Sequence, residues 1–319
     1  MRTKVFMALS VLAVVALVGR LFLAFDAPAA YQVVHGWPEL PEGFVFGEVA
    51  GVGVDSHNHV FVFHRSVHPL MCFDGATGKL LTSWGDGMFG TPHGLAVDSH
   101  DNVWVTDIKH HQVHKFSNDG ELLMTLGVKD VFGEDATHFH SPTDVAVAPN
   151  GEFYVSDGYG NSRVVKFSAE GKFLLEWGRK GDQPGEFNIP HGVSLDGDGR
   201  VYVAVRENAR VQIFDGNGKF LTQWKSAELG RPWDVMIGAD RYAYIVDGGQ
   251  SNLKKPPDSG RVLKLDLQGH ILQSWGRVGK YDGQFCWAHQ VAVAGNGDVY
   301  VVDVGYGMRV QKFVPTGGK

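Results

Sequence analysis

The chain repeats itself six times, and that repetition limits its fold more than any other feature. Copies begin at GVGVD (51), GLAVD (94), DVAVA (144), GVSLD (192), DVMIG (234) and QVAVA (290), at offsets of 43, 50, 48, 42 and 56 residues. Each opening run leads into a second apolar run: VFVFHR, VWVTD, FYVSD, VYVAV, AYIVD or VYVVD. A third follows, such as RVVKF or RVQKF, and in five copies a fourth, such as KFLLEWG. Short runs rich in β-branched and aromatic residues, bounded by Gly, Asn and Asp, read as strands. The pairs Asn150-Gly151 and Asp198-Gly199 mark hairpins between the first two strands of their copies. Four strands per unit at this period predict an all-β fold, a six-bladed β-propeller.

The sixth copy ends at QKFVPTGGK without a fourth strand, and YQVVHGW at 31–37 supplies the missing pattern. The N-terminal strand is therefore expected to complete the last blade and close the ring, leaving no long unpaired edge. Trp37, Trp84, Trp177, Trp224 and Trp275 then share one position, where large indoles pack blade against blade. The expected organisation is a propeller over 31–319 preceded by a distinct segment, 1–30.

That segment carries Arg2 and Lys4, an apolar run from Val5 to Gly19, and the small residues DAPAA at 26–30. This is the order of a secretory signal peptide, although Arg20 followed by LFLAF prolongs the run toward a spanning length. A signal peptide or an N-terminal membrane anchor is expected. The protein is then exported, periplasmic or secreted, and any membrane contact is through this segment alone. With 42 glycines, 20 phenylalanines and 44% hydrophobic residues, the composition suits a turn-rich globular chain. The net charge of −6, without a basic run, excludes a nucleic-acid footprint. A monomer is expected. Cys72 and Cys286 could pair or remain two buried thiols.

The residue just before each inner strand should sit at one mouth of the central channel. Those residues are Ala50, His93, Thr143, His191, Trp233 and His289, so histidine occupies every second blade. Alternate blades of a six-fold ring are about 120° apart, which aims three imidazoles at one axial point. A single such histidine is usually a hydrogen-bonded polar residue. Three in alternation describe a three-histidine zinc site with an open fourth position, as a catalytic metal requires. His64, His68, His110, His111 and His114 follow no such alternation and are expected at the surface or rim.

The repeats look like NHL repeats, and residues 31–313 resemble the peptidyl-α-hydroxyglycine α-amidating lyase family. The similarity rests on FHR (63–65), PHGL (92–95), PTDVAV (142–147), SDGYGNSR (156–163), PH (190–191) and RENAR (206–210). It implies a zinc-dependent carbon–nitrogen lyase that splits peptidyl- or N-acyl-α-hydroxyglycine into an amide and glyoxylate. It further implies that His93, His191 and His289 bind zinc and that Tyr159 is the catalytic tyrosine. Arg206 would be its partner, and Arg65 would bind substrate. The chemistry suits these types: a phenolate held near a guanidinium can accept a proton, because nearby positive charge depresses a tyrosine's pKa, and a second guanidinium can hold a carboxylate in a fork. The rival reading makes Tyr159 a rim tyrosine and both arginines blade-edge ion pairs.

The resemblance also implies a structural calcium, with Val52 and Leu95 at the matching backbone-carbonyl positions. Gln290 stands where the family has an aspartate, and it lacks the charge that strengthens a calcium site. Val205 stands where the family has an aspartate before the arginine. The family's disulfide positions fall on His140, Gly160, Tyr202 and Ile213, so both bridges are missing. A separate enzyme is expected to supply the hydroxylated substrate. The alternative function is a non-catalytic, extracytoplasmic NHL propeller that binds a partner on its face. A lactonase-type propeller would build its metal site from carboxylates and amides, against which the histidines argue.

Overall fold

The structure, a computed structural model, describes residues 30–250 and 258–316, and the expected signal or anchor segment lies outside them save for Ala30. Among the described residues, no helix is long and apolar enough to cross a membrane. Six four-stranded antiparallel sheets form the six expected blades. Their inner strands are Val49–Val54, Pro92–Val97, Asp144–Val147, Pro190–Leu195, Pro232–Ile237 and Ala288–Val293. Each touches the next, and the last touches the first, so the ring is closed.

Burial explains the strand patterns. The second and third strands of most blades are covered on both faces by neighbouring blades, so they read as near-continuous apolar runs: Phe153–Asp157 and Val201–Val205 are buried throughout. The outer strands face solvent on one side, and Phe173–Trp177 alternates accordingly. At the ends of these strands the tryptophans bridge blades as expected. Trp84 meets Phe116, Trp177 meets Phe214, and Trp275 meets Phe313, with ring centroids 6.3, 5.6 and 6.2 Å apart.

The chain's two ends build the last blade together. Ala30–Val33 pairs antiparallel with Arg309–Thr316, Ala30 opposite Thr316 and Val33 opposite Phe313. Tyr31 stacks on Trp275 of the preceding blade at 4.5 Å, and Trp37 packs between Tyr300 and Phe73 of the first. Both thiols are free and buried, Cys72 in a blade core and Cys286 beside Trp287. At the positions where the resemblance implies disulfides, the His140 ring lies against Gly160, and Tyr202 faces Ile213 across a strand pair.

Two histidines depart from expectation. His64 and His114 are buried, not at the rim. His64 Nδ1 accepts from the Gly47 N–H at 3.2 Å, and its Nε2–H donates to the His68 carbonyl at 3.0 Å. Phe46 packs edge-on against the ring. A neutral imidazole with one donor and one acceptor satisfies both bonds, which lets the ring enter a core. Burial lowers the pKa of each to about 4.

Two predictions follow from these contacts. Removing residues 30–37 together with the preceding segment should lower the melting temperature far more than removing 1–29 alone, because it exposes Arg309–Thr316 as an edge. Equal melting temperatures would show that the closing strand contributes nothing. His64, neutral when folded, binds a proton more readily when unfolded. Its contribution is therefore complete above about pH 6.5 and is lost as pH falls toward about 4. His64→Gln keeps a donor and an acceptor but cannot titrate. Between about pH 7 and 4.5, urea unfolding should show the wild type losing on the order of 2 kcal/mol more than this variant; equal losses would rule the assignment out.

Candidate metal centre

A backbone irregularity aims the histidines. In five blades the register between the first two strands slips by a bulge at the channel mouth: at Val49/Gly51, Pro92/Leu95, Pro190/Gly192, Pro232/Asp234 and Ala288/Gln290. A bulge re-aims its extra side chain out of the normal alternation. His93, His191 and His289 sit in these bulges and converge, with ring centroids 4.8, 4.6 and 4.9 Å apart. Each offers a ligand nitrogen, and the three nitrogens lie within 4.8 Å of one another.

The intervening blades fix the tautomers. His93 Nδ1–H donates to the Thr143 carbonyl (2.7 Å), His191 to Trp233 (2.6 Å) and His289 to Ala50 (2.7 Å). Every histidine thus leans on the next blade, and every non-histidine at the mouth supplies an oxygen. With Nδ1 committed, Nε2 carries the lone pair of all three rings, which is how metal-binding histidines are oriented. Burial depresses all three imidazoles, aided by the Arg206 guanidinium in each case, by Arg65 for His93 and His289, and by neighbouring histidines for His93 and His191; His289 falls to about 3. Three neutral, buried, convergent imidazoles could hold a metal ion.

Around this centre the structure gathers the other residues singled out in the sequence. Tyr159 Oη lies 3.1 Å from His93 Nε2 and 3.0 Å from His191 Nε2. Its loop explains the stretch SDGYGNSR. Buried Asp157 accepts from the His140 backbone, the Asn161 amide and the Arg163 guanidinium, pinning both sides of the turn. A Cβ on Gly158 would come within 1.9 Å of the Pro190 carbonyl, and one on Gly160 within 2.0 Å of the His140 ring. Only glycines let the loop lie close enough for Tyr159 to reach the axis.

Arg206 opens a short 3-10 turn, Arg206–Asn208, and is buried. Its Nη1–H donates to Tyr159 Oη at 3.1 Å, and its guanidinium stacks on Trp233 at 4.6 Å. Arg206 Nε–H donates to Glu207 at 3.1 Å. Glu207 also accepts from Arg231. Arg65 reaches the same mouth: Nε–H donates to the Pro92 carbonyl beside His93, and Nη1–H to Glu48 at 2.5 Å. Glu48 in turn accepts from the Gly305 N–H. Both arginines are thus ion-paired, and both contact residues at the mouth of the channel. Glu48, Glu207 and the stacking role of Trp233 escaped the sequence reading. Glu207 adjoins Arg206 in RENAR, but Glu48 carries no motif.

Val52 and Leu95 are joined to Gln290 directly. Both backbone N–H groups donate to Gln290 Oε1, at 2.9 and 3.2 Å. Below the histidines, burial pushes the Asp144 and Asp234 carboxyls up, Asp234 to about 7.

Fold and site together define a six-bladed propeller of NHL repeats with a histidine-lined candidate metal centre at its mouth. The NHL repeat family matches residues 89–116, 139–167, 187–214 and 285–313. The chain is 40% identical over 289 residues to "Probable peptidyl-alpha-hydroxyglycine alpha-amidating lyase pgal-1" of Caenorhabditis elegans, covering 80% of this chain and 79% of that one. It is 34% identical to "Peptidyl-glycine alpha-amidating monooxygenase B" of Xenopus laevis over 88% of this chain, but spans only 35% of that longer protein. It is also 32% identical to human "NHL repeat-containing protein 3", covering 89% of this chain and 84% of that one. The chain belongs to the peptidyl-α-hydroxyglycine α-amidating lyase family.

His191→Ala should abolish stoichiometric metal binding while leaving a cooperative thermal transition, because the ring's closure does not pass through this side chain. Elemental analysis of the purified variant checks this, and retained full occupancy would defeat the assignment.

Proposed function

We propose that this protein is a zinc-dependent lyase that cleaves the N–C bond of peptidyl- or N-acyl-α-hydroxyglycine, yielding an amide and glyoxylate. The observation that carries the reading is the convergence of Tyr159 Oη on two free imidazole nitrogens and on the Arg206 guanidinium. A structural metal site would not need an ionisable hydroxyl held at its open side.

The three histidines fit zinc, as a neutral nitrogen donor set with one position open. Zinc there would supply Lewis acidity, lowering the pKa of a bound hydroxyl. The remaining work falls to the chain's own residues. Tyr159, acting as its phenolate, takes the proton from the carbinol hydroxyl. The C–O bond gains double-bond character, the C–N bond breaks with its electron pair passing to nitrogen, and that nitrogen takes up the proton held on Tyr159 Oη. Atoms balance without water or an oxidant. Arg206, on the phenol oxygen, compensates negative charge that collects there. Arg65 holds the carboxylate that becomes part of glyoxylate. A separate enzyme would supply the hydroxylated substrate, and export through residues 1–30 would place the reaction outside the cytoplasm.

The second reading, a non-catalytic NHL propeller, is favoured by the relative whose name carries no lyase activity. Turnover of an α-hydroxyhippurate-type substrate separates the two: bound metal without glyoxylate release supports the binding module. On the lyase reading, Tyr159→Phe should keep metal and lose on the order of 10²–10⁴-fold in kcat. Arg65→Ala should act mainly through KM, since a carboxylate clamp serves ground and transition states alike. A Tyr159→Phe protein that turns over at the parent rate would make the tyrosine a bystander.

A further inference from the structure

The six residues that follow the mouth positions form a second ring, beneath the histidines: Gly51, Gly94, Asp144, Gly192, Asp234 and Gln290. The glycines make room for the polar side chains. A Cβ on Gly94 would lie 2.7 Å from Asp144 Oδ1, and one on Gly192 2.4 Å from Asp234 Oδ1. The polar side chains then reach across blades. Asp144 accepts from the Val193 N–H at 2.9 Å, and Asp234 from the Val291 N–H at 3.0 Å. Gln290 makes the longest reach: Oε1 accepts from Val52 and Leu95, and its Nε2–H donates to Asp144 at 3.1 Å. Together these bonds tie all six inner strands, with the last blade as the hub.

We infer that Gln290 is a metal-free clasp, and that this propeller is held at its axis without the structural calcium implied by its family. The amide's orientation is determined, because turning it would set NH₂ against two N–H donors and a carbonyl oxygen against Asp144. Its oxygen therefore already serves two buried donors. Recruiting it to calcium would strip both N–H groups of their partner, an outcome costly in a buried site. Calcium also wants six to eight oxygens, carboxylates among them. The two carboxylates at this level are turned to other blades, Asp144 to Val193 and Gln290, and Asp234 to Val291. A neutral amide does by hydrogen bonding what a cation between carbonyls and a carboxylate would do by charge. The inference concerns stability and holds whether or not the lyase reading does.

The test reads calcium content and melting temperature, not turnover. The full chain is dialysed into calcium-free buffer with zinc restored, assayed for calcium, and melted with and without about 1 mM Ca²⁺, a level that fills even weak protein sites. The wild type should hold no stoichiometric calcium and shift by less than about 1 °C, with a few degrees per kcal/mol as the scale of a real effect. Gln290→Ala should melt lower by several degrees, with no recovery on adding calcium. Gln290→Asp should melt low without calcium and regain about 3–5 °C with it, as mass action on a new site requires. One calcium per wild-type chain, or a calcium-dependent rise in its melting temperature, overturns the inference. So does a Gln290→Ala protein as stable as wild type. If Gln290→Asp fails to fold, the wild-type measurement and Gln290→Ala decide.

Discussion

Everything at the mouth depends on closure of the ring. Six wedge-shaped sheets meet around one axis only if the last is bonded to the first, and a linear chain achieves this by splitting one blade between its ends. The pairing of Ala30–Val33 with Arg309–Thr316 is that bond. It fixes the distance from blade 6 to blade 1 and thereby the distance from His289 to the Ala50 carbonyl, which must be 2.7 Å for the ring's tautomer to be set. Each of the other histidines is held the same way by the blade after it. The centre is thus not a local motif: its geometry is a property of the closed circle, and an error in any inter-blade angle would be felt at the axis.

Closure alone would not aim the imidazoles. A regular strand sends alternate side chains to the two faces of its sheet, toward neighbouring blades, whereas the axis lies off the strand's edge. The bulges supply the missing direction. They occur in blades 1 and 5 as well, where Ala50 and Trp233 occupy the turned position, so the backbone device belongs to the repeat and the histidines exploit it. The spare positions serve too, because the carbonyls of Ala50, Thr143 and Trp233 face the imidazoles of their neighbours. Alternation of histidine and non-histidine is therefore an alternation of donors and acceptors.

This division explains what the sequence could and could not reveal. Strand order, blade number and ring closure were legible, because a strand buried between blades must be apolar and a hairpin needs its glycine. The trio of histidines was legible through repeat alignment alone. Tyr159, Arg206 and Arg65 were reached through family resemblance, since loops between strands carry no periodicity to align them. His64 was misplaced because a histidine with one donor and one acceptor satisfied can enter a core, and His114 because it is held there by a single bond to the Thr125 hydroxyl; no local pattern advertises either partner. Glu48 carries no motif either: it meets Arg65 across the inner hairpin of the first blade, and its other oxygen accepts from the Gly305 N–H of the last.

The two glutamates give the mouth its electrostatic character. The histidines are neutral, and the two guanidiniums beside them each have a carboxylate partner: Arg65 has Glu48, and Arg206 has Glu207, which it shares with Arg231. Partial burial makes such charge-assisted bonds substantial, and an unanswered guanidinium there would be costly. On the lyase reading, a substrate carboxylate approaching Arg65 shares or replaces a partner that is already present. Its binding is then largely an exchange of one anion for another, with a small net gain. Discrimination must come from what no internal carboxylate can offer, a hydroxyl placed within reach of both the open metal position and Tyr159 Oη. On that reading the arginines orient, and the axis selects.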